Sequence, residues 1–523
     1  MKHYALCVCS LVLLLCACQP QQDIVVLFDN DAHCAVDGYA TMAAMRDSVL
    51  EQTPYVAVVS AGDFVQGDVV GSISRGQYVV DIMNSVPYDY VTLGNHEFDY
   101  SVPQLMNLSE QLTAKMLCCN FTNLQTHEQP FASYAIHRFG RTKVAFVGVA
   151  TPTTFNTSTP TYFRDADGNP VYTFHQQETF SLVQQAAMQA RKQGAQYVIV
   201  LSHLGDDTEI DNSVALIRST IGIDAVLDGH QHHVLNSRIA NANGDSVILA
   251  STGTKFQHIG ALTITPKRNI SCALLPTKDA ARSERVCHVI DSVHRLLQAE
   301  VQRVVAHCEV TLNDCNEQGK RLVRREETAL ANLVADAMRA VSGAQIGCIH
   351  GGSVRAPLHQ GNITMGDVIS LLPFNNTLSI VAITGAQLLD ALEVSVMLYP
   401  EENGDFHIFS GLRYTIDPTI PTSVEMDEWN MFARVASTRR VVEAEVEING
   451  CWQPVDPTAT YTIGGLNYTL VNGGASGMFA SAQPIDCEPI KDTNVLLRYF
   501  HILGDVIPAN RYASPQHNFT VLK

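Results

Sequence analysis

Short apolar runs recur through the first half of the chain, and each gives way to polar residues. Ile24–Phe28 leads into Asp29-Asn30-Asp31, and Val56–Val59 into Ser60-Ala61-Gly62-Asp63. Val91-Thr92-Leu93 leads into Gly94-Asn95-His96, Val198–Leu201 into Ser202-His203, and Ala225-Val226-Leu227 into Asp228-Gly229-His230. Short runs rich in β-branched residues and bounded by Gly, Asp or Asn predict buried strands. Helical patterns at Ala40–Leu50 and Thr179–Lys192 lie between several of them. Strand alternating with helix predicts an α/β layer structure, in which ligands gather at the strand C-terminal ends.

Around Ser283–Ala306 the period changes. Val286, Val289, Val293, Leu296, Leu297 and Val301 recur at three- and four-residue steps, which predicts an interdomain helix with one apolar face. The domain boundary is expected within 270–310. Ala329–Ala340 reads as another helix. Further strands follow, with Gly-rich turns expected at Gly351-Gly352, Gly464-Gly465 and Gly473-Gly474.

A length of 523 residues predicts two to four domains, each able to bury a core. With 46% hydrophobic and 16% charged residues, a disordered or fibrous chain is excluded. The net charge of −18 argues against a nucleic-acid polymer as partner, yet a local site can still be cationic. Lys2 precedes an apolar run from Tyr4 to Leu15, too short for a membrane span of about 20 residues. It reads as a signal peptide, residues 1–17. Leu15-Cys16-Ala17-Cys18 resembles a bacterial lipobox, which implies a lipid on Cys18 and an extracytoplasmic protein tethered to a membrane, in the periplasm or at the cell surface. An ordinary secretory signal is the alternative. Of 14 cysteines, ten lie beyond Cys18, too few for a disulfide scaffold. Cys308 and Cys315 are near enough in sequence to bridge a short loop, and Cys118-Cys119 reads as a buried strand end.

The strand-end residues Asp31, His33, Asp63, Asn95, His96, His203, His230 and His232 form one chemical set. Oxygen and nitrogen donors without thiolates suit Mn, Zn, Fe or Co, and Mg more weakly. Two such ions need a shared ligand, which one carboxylate can supply. Asp-x-His and His-x-His suit the task if alternate residues leaving a strand point to one face. A single histidine there is more often a satisfied surface or core residue; five segments in order point to a site.

Asn30-Asp31-x-His33, Gly62-Asp63-x-x-Gln66-Gly67, Gly94-Asn95-His96-Glu97-Phe98-Asp99, Ser202-His203-Leu204-Gly205 and Gly229-His230-Gln231-His232 resemble the five blocks of calcineurin-like metallophosphoesterases, in their 5'-nucleotidase version. In the second half, Glu327–Ala337, Gly351-Gly352-Ser353-Val354-Arg355, Gly361-Asn362-Ile363-Thr364 and Leu372-Pro373-Phe374-Asn375-Asn376-Thr377 follow in family order. The resemblance implies a four-layer α/β/β/α metallophosphoesterase domain over 18–280. An interdomain helix over 281–308 and a mixed α+β substrate-binding domain over 309–523 would follow. It implies that Asp31, His33 and His232 bind one metal, that Asn95, His203 and His230 bind the other, and that Asp63 bridges. His96 would act at the scissile phosphate, oriented by Asp99. Their three-residue spacing suits a hydrogen bond that fixes a tautomer and favours the imidazolium.

The same resemblance makes Arg324 and Arg355 substrate contacts, with His350 and Gly352 beside them, and makes Phe374 a ring that stacks on the base. Two departures stand out. His350 replaces the usual Asn, and in Asn472–Phe479 Gly477 falls where a second stacking ring belongs, a place Phe479 could take only after a loop shift. Cys34 follows His33 where Gly is usual, which raises oxidation sensitivity as a reading. The leading function is an extracytoplasmic phosphohydrolase acting on nucleoside 5'-monophosphates or related nucleotides. A 2',3'-cyclic-nucleotide phosphodiesterase/3'-nucleotidase or a UDP-sugar hydrolase on the same fold is the alternative. A non-catalytic nucleotide- or surface-binding lipoprotein is the alternative of another class. Metals in one domain and Arg355 and Phe374 in the other imply a substrate that bridges them, with domain closure gating turnover.

Overall fold

A computed structural model describes residues 22–165, 168–206, 211–427, 430–488 and 490–522. The predicted leader and Cys18 lie outside the described residues. The first half contributes β1 (Ile24–Asp29), β2 (Val56–Ser60), β3 (Tyr90–Thr92), β4 (Lys115–Leu117), β5 (Thr122–Asn123), β6 (Tyr134–Phe139) and β7 (Thr142–Ala150). It continues with β8 (Tyr172–Thr173), β9 (Tyr197–His203), β10 (Ala225–Leu227), β11 (Val234–Ala240), β12 (Ser246–Thr252), β13 (His258–Ile264) and β14 (Ile270–Pro276). One sheet runs β14-β13-β1-β2-β3-β4 and a second runs β11-β12-β10-β9-β7-β6, while β5 and β8 form a short ribbon. β1 to β4 pair in parallel, as do β7, β9, β10 and β12.

Successive side chains of a strand point to opposite faces, so a buried strand serves two layers. Val26, Phe28, Ala57 and Val59 face Val144, Phe146, Ile199 and Leu201 between the sheets. The alternate residues Leu27 and Val58 pack outward on helix Asp37–Leu50 and its neighbours. Ala145, Val147, Val198 and Val200 pack outward on helix Thr179–Lys192. The result is a four-layer α/β/β/α sandwich, and the strands and helices predicted from periodicity fall where expected.

The predicted helix across Ser283–Ala306 is shorter. It spans Glu284–Val301, and the β-branched pair Val304-Val305 opens strand Val304–Cys308 instead. Its buried face is Val286, Ile290, Val293 and Leu297, whereas Leu296 is 69% exposed. At about 100° per residue Leu296 rotates off the stripe that Ile290 completes. This face packs into the same core as helix Asp37–Leu50, and Val301 at its end packs with Met365 and Ile369 of the second half.

The second half is mixed α+β. A five-stranded sheet of Ile346–His350, Leu378–Thr384, His407–Ser410, Thr460–Leu466 and Gln483–Ile485 shares one core with helices Ala329–Ser342, Gly385–Ser395 and Asp492–Ile502. A four-stranded sheet of Leu412–Ile416, Val441–Ile448, Cys451–Pro454 and Phe519–Val521 packs beside it. Gly464 and Gly465 are not a turn: they lie within strand Thr460–Leu466. A Cβ on Gly464 would collide with Ser342 Oγ, so the glycine is there to let helix Ala329–Ser342 lie close on the sheet. Among the described residues the ten cysteines are free thiols, and the Cys308–Cys315 bridge does not form. Cys308 Sγ donates to Val310 O at 3.0 Å and Cys315 Sγ to Asp314 Oδ2 at 3.3 Å. Cys118 and Cys119 are buried just past β4, as expected.

The helix face gives a direct stability test. Ile290→Ala is expected to cost about 2–5 kcal/mol in denaturant unfolding, the range for emptying a core site. Leu296→Ala is expected to change stability by less than about 0.5 kcal/mol. Equal costs at the two positions would refute the assigned face.

Candidate metal centre

Five strand ends, drawn from both sheets, converge on one cluster. Asp31 and His33 follow β1, Asp63 follows β2, Asn95 and His96 follow β3, His203 ends β9, and His230 and His232 follow β10. The expectation that alternate residues leaving a strand share a face does not hold. Asp31 (φ 49°), His33 (φ 42°), Asp63 (φ 59°), His230 (φ 80°) and His232 (φ 61°) all adopt the left-handed region. Tight turns, not strand alternation, aim these side chains inward. Each such residue stores about 1–3 kcal/mol that the surrounding packing must offset.

Asp31 Oδ1 lies 3.5 Å from His232 Nε2, 3.8 Å from His203 Nε2 and 3.9 Å from His33 Nε2. Asp63 Oδ2 lies 3.1 Å from His203 Nε2 and 3.9 Å from His33 Nε2. Asn95 Oδ1 is 3.1 Å from His230 Nδ1. Asp31, His33 and His232 form one ligand-sized group, Asp31, Asp63 and His203 a second, and His33, Asp63 and His96 a third. Asp31, Asp63, His33 and His203 are all buried.

The donor set fits divalent ions. His203 Nε2 is cut off from water and has no hydrogen-bond partner, although Asp63 Oδ2 is 3.1 Å away without hydrogen-bond geometry. Such an atom is costly unless something else binds it. Its ring is fixed from behind, with Nδ1 2.6 Å from Ala61 O. Burial pushes the Asp31 carboxyl up to about 6 against the pull of His203. For Asp63 burial acts in the same sense, but His203 and His96 outweigh it and hold the group well below the carboxylate range. Burial disfavours a charged His203, yet Asp63 and Asp31 win and raise it to about 10. Burial holds His33 down to about 3, which keeps the imidazole neutral.

Residues that sequence reasoning passed over hold this geometry. Glu97 accepts from the backbone N–H groups of Asp63 (2.8 Å), Phe64 (2.8 Å) and Gly94 (2.7 Å). Burial, then the Asp63 charge, push its carboxyl up to about 7. Asn30 Nδ2 donates to Asp31 Oδ2 at 2.7 Å, and Asn30 Oδ1 accepts from Thr252. A Cβ on Gly94 would collide with Asp63 Oδ1, so only glycine lets the two loops meet. These partners lay inside the quoted motifs, but no spacing rule marks a carboxylate that serves backbone rather than metal.

His96 Nδ1 stands 2.5 Å from Asp99 Oδ2, and Ser158 Oγ donates to the other oxygen, Asp99 Oδ1, at 3.2 Å. His96 N–H donates to Asp63 Oδ1 at 2.8 Å. Burial opposes its charge, but Asp99 and Asp63 outweigh burial and raise its pKa. Opposite it stands the second half. The Phe374 ring is stacked on His96 at 6.0 Å and 28°, and Arg355 Cζ lies 5.6 Å from the Phe374 centroid. Burial, then Arg321, lower the Arg355 pKa, and burial, Arg321 and Arg355 lower that of Arg324. Three guanidiniums therefore crowd one another, and Arg321, which sequence reasoning missed, is held by Glu402 at 2.8 Å.

His350 is engaged on both ring nitrogens, Nδ1 with Gly404 O at 3.0 Å and Nε2 with Ser353 Oγ at 2.6 Å. Burial lowers its pKa to about 4. The N–H of Gly352 donates to Gly404 O at 2.9 Å. Phe479 does not replace the missing ring: it is 1% exposed and packs edge-on to His407. At Gly477 (φ 67°) a Cβ would lie 2.6 Å from the Met431 methyl. Cys34 is 2% exposed and burial pushes its thiol far up, so the reactive thiolate is disfavoured and oxidation sensitivity finds no support.

Fold and donors together define a divalent-metal centre in the first half, faced by a mixed α+β second half. Residues 24–234 match the sequence model for the calcineurin-like phosphoesterases, and residues 304–481 match that for the 5'-nucleotidase C-terminal domain. The trifunctional nucleotide phosphoesterase YfkN of Bacillus subtilis is 25% identical over 88% of this chain, which spans only 32% of that relative. An apyrase of Tabanus yao is 24% identical over 84% of this chain and 80% of its own. The solved 5'-nucleotidase precursor of Thermus thermophilus superposes with a TM-score of 0.78 at 24% identity, covering 96% of this chain and 99% of its own. The chain belongs to the 5'-nucleotidase branch of the calcineurin-like metallophosphoesterases, hydrolases that use two divalent metal ions. That membership removes the non-catalytic alternative.

Glu97→Gln keeps the side-chain shape but weakens the bonds that brace Asp63. Metal titration by calorimetry is expected to show affinity lower by about 10–100-fold, as for other outer partners of a metal site. An unchanged affinity would mean that Asp63 is held without Glu97.

Proposed function

We propose that this protein releases phosphate from nucleoside 5'-monophosphates or related nucleotides outside the cytoplasm. One observation carries the reading: the His96–Asp99 pair and Arg355, from opposite halves, face the same buried Asp/His cluster. Asp31, His33 and His232 would hold one ion, Asn95, His203 and His230 the other, and Asp63 both. When bound, the ions supply phosphoryl polarisation and an activated water. His96, kept protonated by Asp99, gives its proton to the leaving oxygen as the phosphorus–oxygen bond breaks. Arg355 and Arg324 neutralise the phosphate from the second domain, where forked donors suit its oxygens. Phe374 offers its ring to the base. His350 acts indirectly, by bracing the turn at Gly351–Ser353.

A second reading within the class has its own support. Gly477 with the Met431 methyl packed against it removes one aromatic wall, and relatives bear the names trifunctional nucleotide phosphoesterase and apyrase. Cyclic nucleotides or UDP-sugars would then share the site. The decisive measurement is phosphate release from AMP, a 2',3'-cyclic nucleotide and a UDP-sugar at defined metal content. AMP turnover is expected to vanish on chelation, return with Mn, Zn or Co, and fall about 10²–10⁴-fold in His96→Ala. Activity that survives both chelation and that substitution sinks the proposal.

For the location, the Lys2–Leu15 leader and the Leu15-Cys16-Ala17-Cys18 motif support a lipid on Cys18 that tethers the protein to a bacterial membrane. No helix among the described residues is long and apolar enough to cross a membrane. Cys18→Ala is expected to move the protein from the membrane fraction to the soluble extracytoplasmic fraction. Retention on membranes would rule out the lipid as the anchor.

A further inference from the structure

Phe374 lies on the short loop that follows helix Met365–Leu371, and its two chain neighbours are tied to the first domain. The Ser72 hydroxyl donates to Pro373 O at 2.7 Å, and Asn375 Nδ2 donates back to Ser72 O at 2.8 Å. Ser72 is 3% exposed and belongs to helix Val69–Ser74, whose N-terminus is capped by Asp68. A small apolar patch flanks the two bonds: Val69 of the same helix packs with Met365 and Ile369 of the second domain. Asn375 reaches back only because its own backbone is left-handed (φ 57°), which Asn tolerates better than most residues.

We propose that Ser72 and Asn375 are positioning residues: a two-bond latch between the domains that holds Phe374 against His96. Neither touches the reacting atoms. The latch grips the residues on either side of the ring, so the ring's place over the phosphoryl-side histidine is set from helix Val69–Ser74. Its effect falls on the part of a substrate that meets the ring. A phosphate ester with a planar base should feel the latch, and one without a base should not. This rests on the proposed nucleotide phosphohydrolase activity for its kinetic consequence, but the latch itself does not.

The test therefore has two readouts, both on the metal-loaded full chain. Hydrogen exchange of the backbone amides in 372–376, without substrate, is expected to speed up at least fivefold in Ser72→Ala and in Asn375→Gly. That is about the equilibrium value of one buried hydrogen bond. In the same variants KM for AMP is expected to rise about fivefold or more while kcat/KM for ribose 5-phosphate stays within twofold of wild type. Ser72→Thr, which keeps the hydroxyl, should restore the AMP value. Unchanged exchange in both variants, or equal losses on the two substrates, overturns the latch. Faster exchange in a protein whose wild type turns over neither ester leaves the latch standing and sinks the nucleotide reading instead.

Discussion

Two carboxylates buried in one cluster, Asp31 and Asp63, set the terms for everything around them. Both stand within 4 Å of the same two imidazoles, His33 and His203. Like charges so placed out of water repel, and each costs several kcal/mol to desolvate. The chain holds them there by other means. Asn30 and the His230 N–H bind Asp31, the His96 N–H binds Asp63, and Glu97 fastens the backbone under Asp63. Strained turns at Asp31, His33, Asp63, His230 and His232 add to the cost. A site preformed against such opposition can bind cations without rearranging. The sandwich beneath it, with two sheets packed on one interior and a helix layer on each outer face, supplies the stability that offsets the strain.

The second domain answers the first in charge. The chain as a whole carries −18. Yet Arg321, Arg324 and Arg355 lie close enough to depress the pKa values of Arg324 and Arg355, and Arg355 feels both Asp99 and Asp63. Neighbouring guanidiniums repel one another, although Arg321 is partly exposed and paired with Glu402. An anion would relieve the arginines, and cations would relieve the carboxylates. An acidic protein can thus carry a local concentration of positive charge, because the negative groups near it are engaged in backbone bonds.

Most of the framework was legible because burial on both faces leaves a plain mark. The runs at Ile24–Phe28, Val56–Val59 and Val198–Leu201 are apolar throughout since each serves two layers. The site residues were legible because they end those runs. What failed did so for reasons of three-dimensional closeness. Alternation predicted how Asp31 and His33 would share a face, but left-handed turns do the work. Leu296 has the right chemistry and the wrong rotation. Gly464-Gly465 reads as a turn because glycine marks both turns and close backbone approach, and only the helix lying on that strand decides which. Cys308 and Cys315 were near in sequence, and nothing in spacing says that each thiol finds a nearer acceptor.

The departures in the second domain bear on one another. Gly477 has no side chain, and its φ of 67° would strain any other residue. The Met431 methyl lies 2.6 Å from where a Cβ on Gly477 would stand, so restoring a ring at 477 would require Met431 to move as well. His350 differs from the family pattern too, and Ser353 and Gly404 bind both its nitrogens. His350 also packs against the Tyr468 ring at 5.2 Å, and a Cβ on Gly474 would collide with that same ring. The altered loop and the altered histidine are therefore one packing unit, and changing either alone disturbs the other. On the proposed nucleotide reading, one aromatic wall would be gone and the phosphate end kept, so selectivity would rest on the phosphate and on the single ring at Phe374. That places the greatest demand on where Phe374 stands.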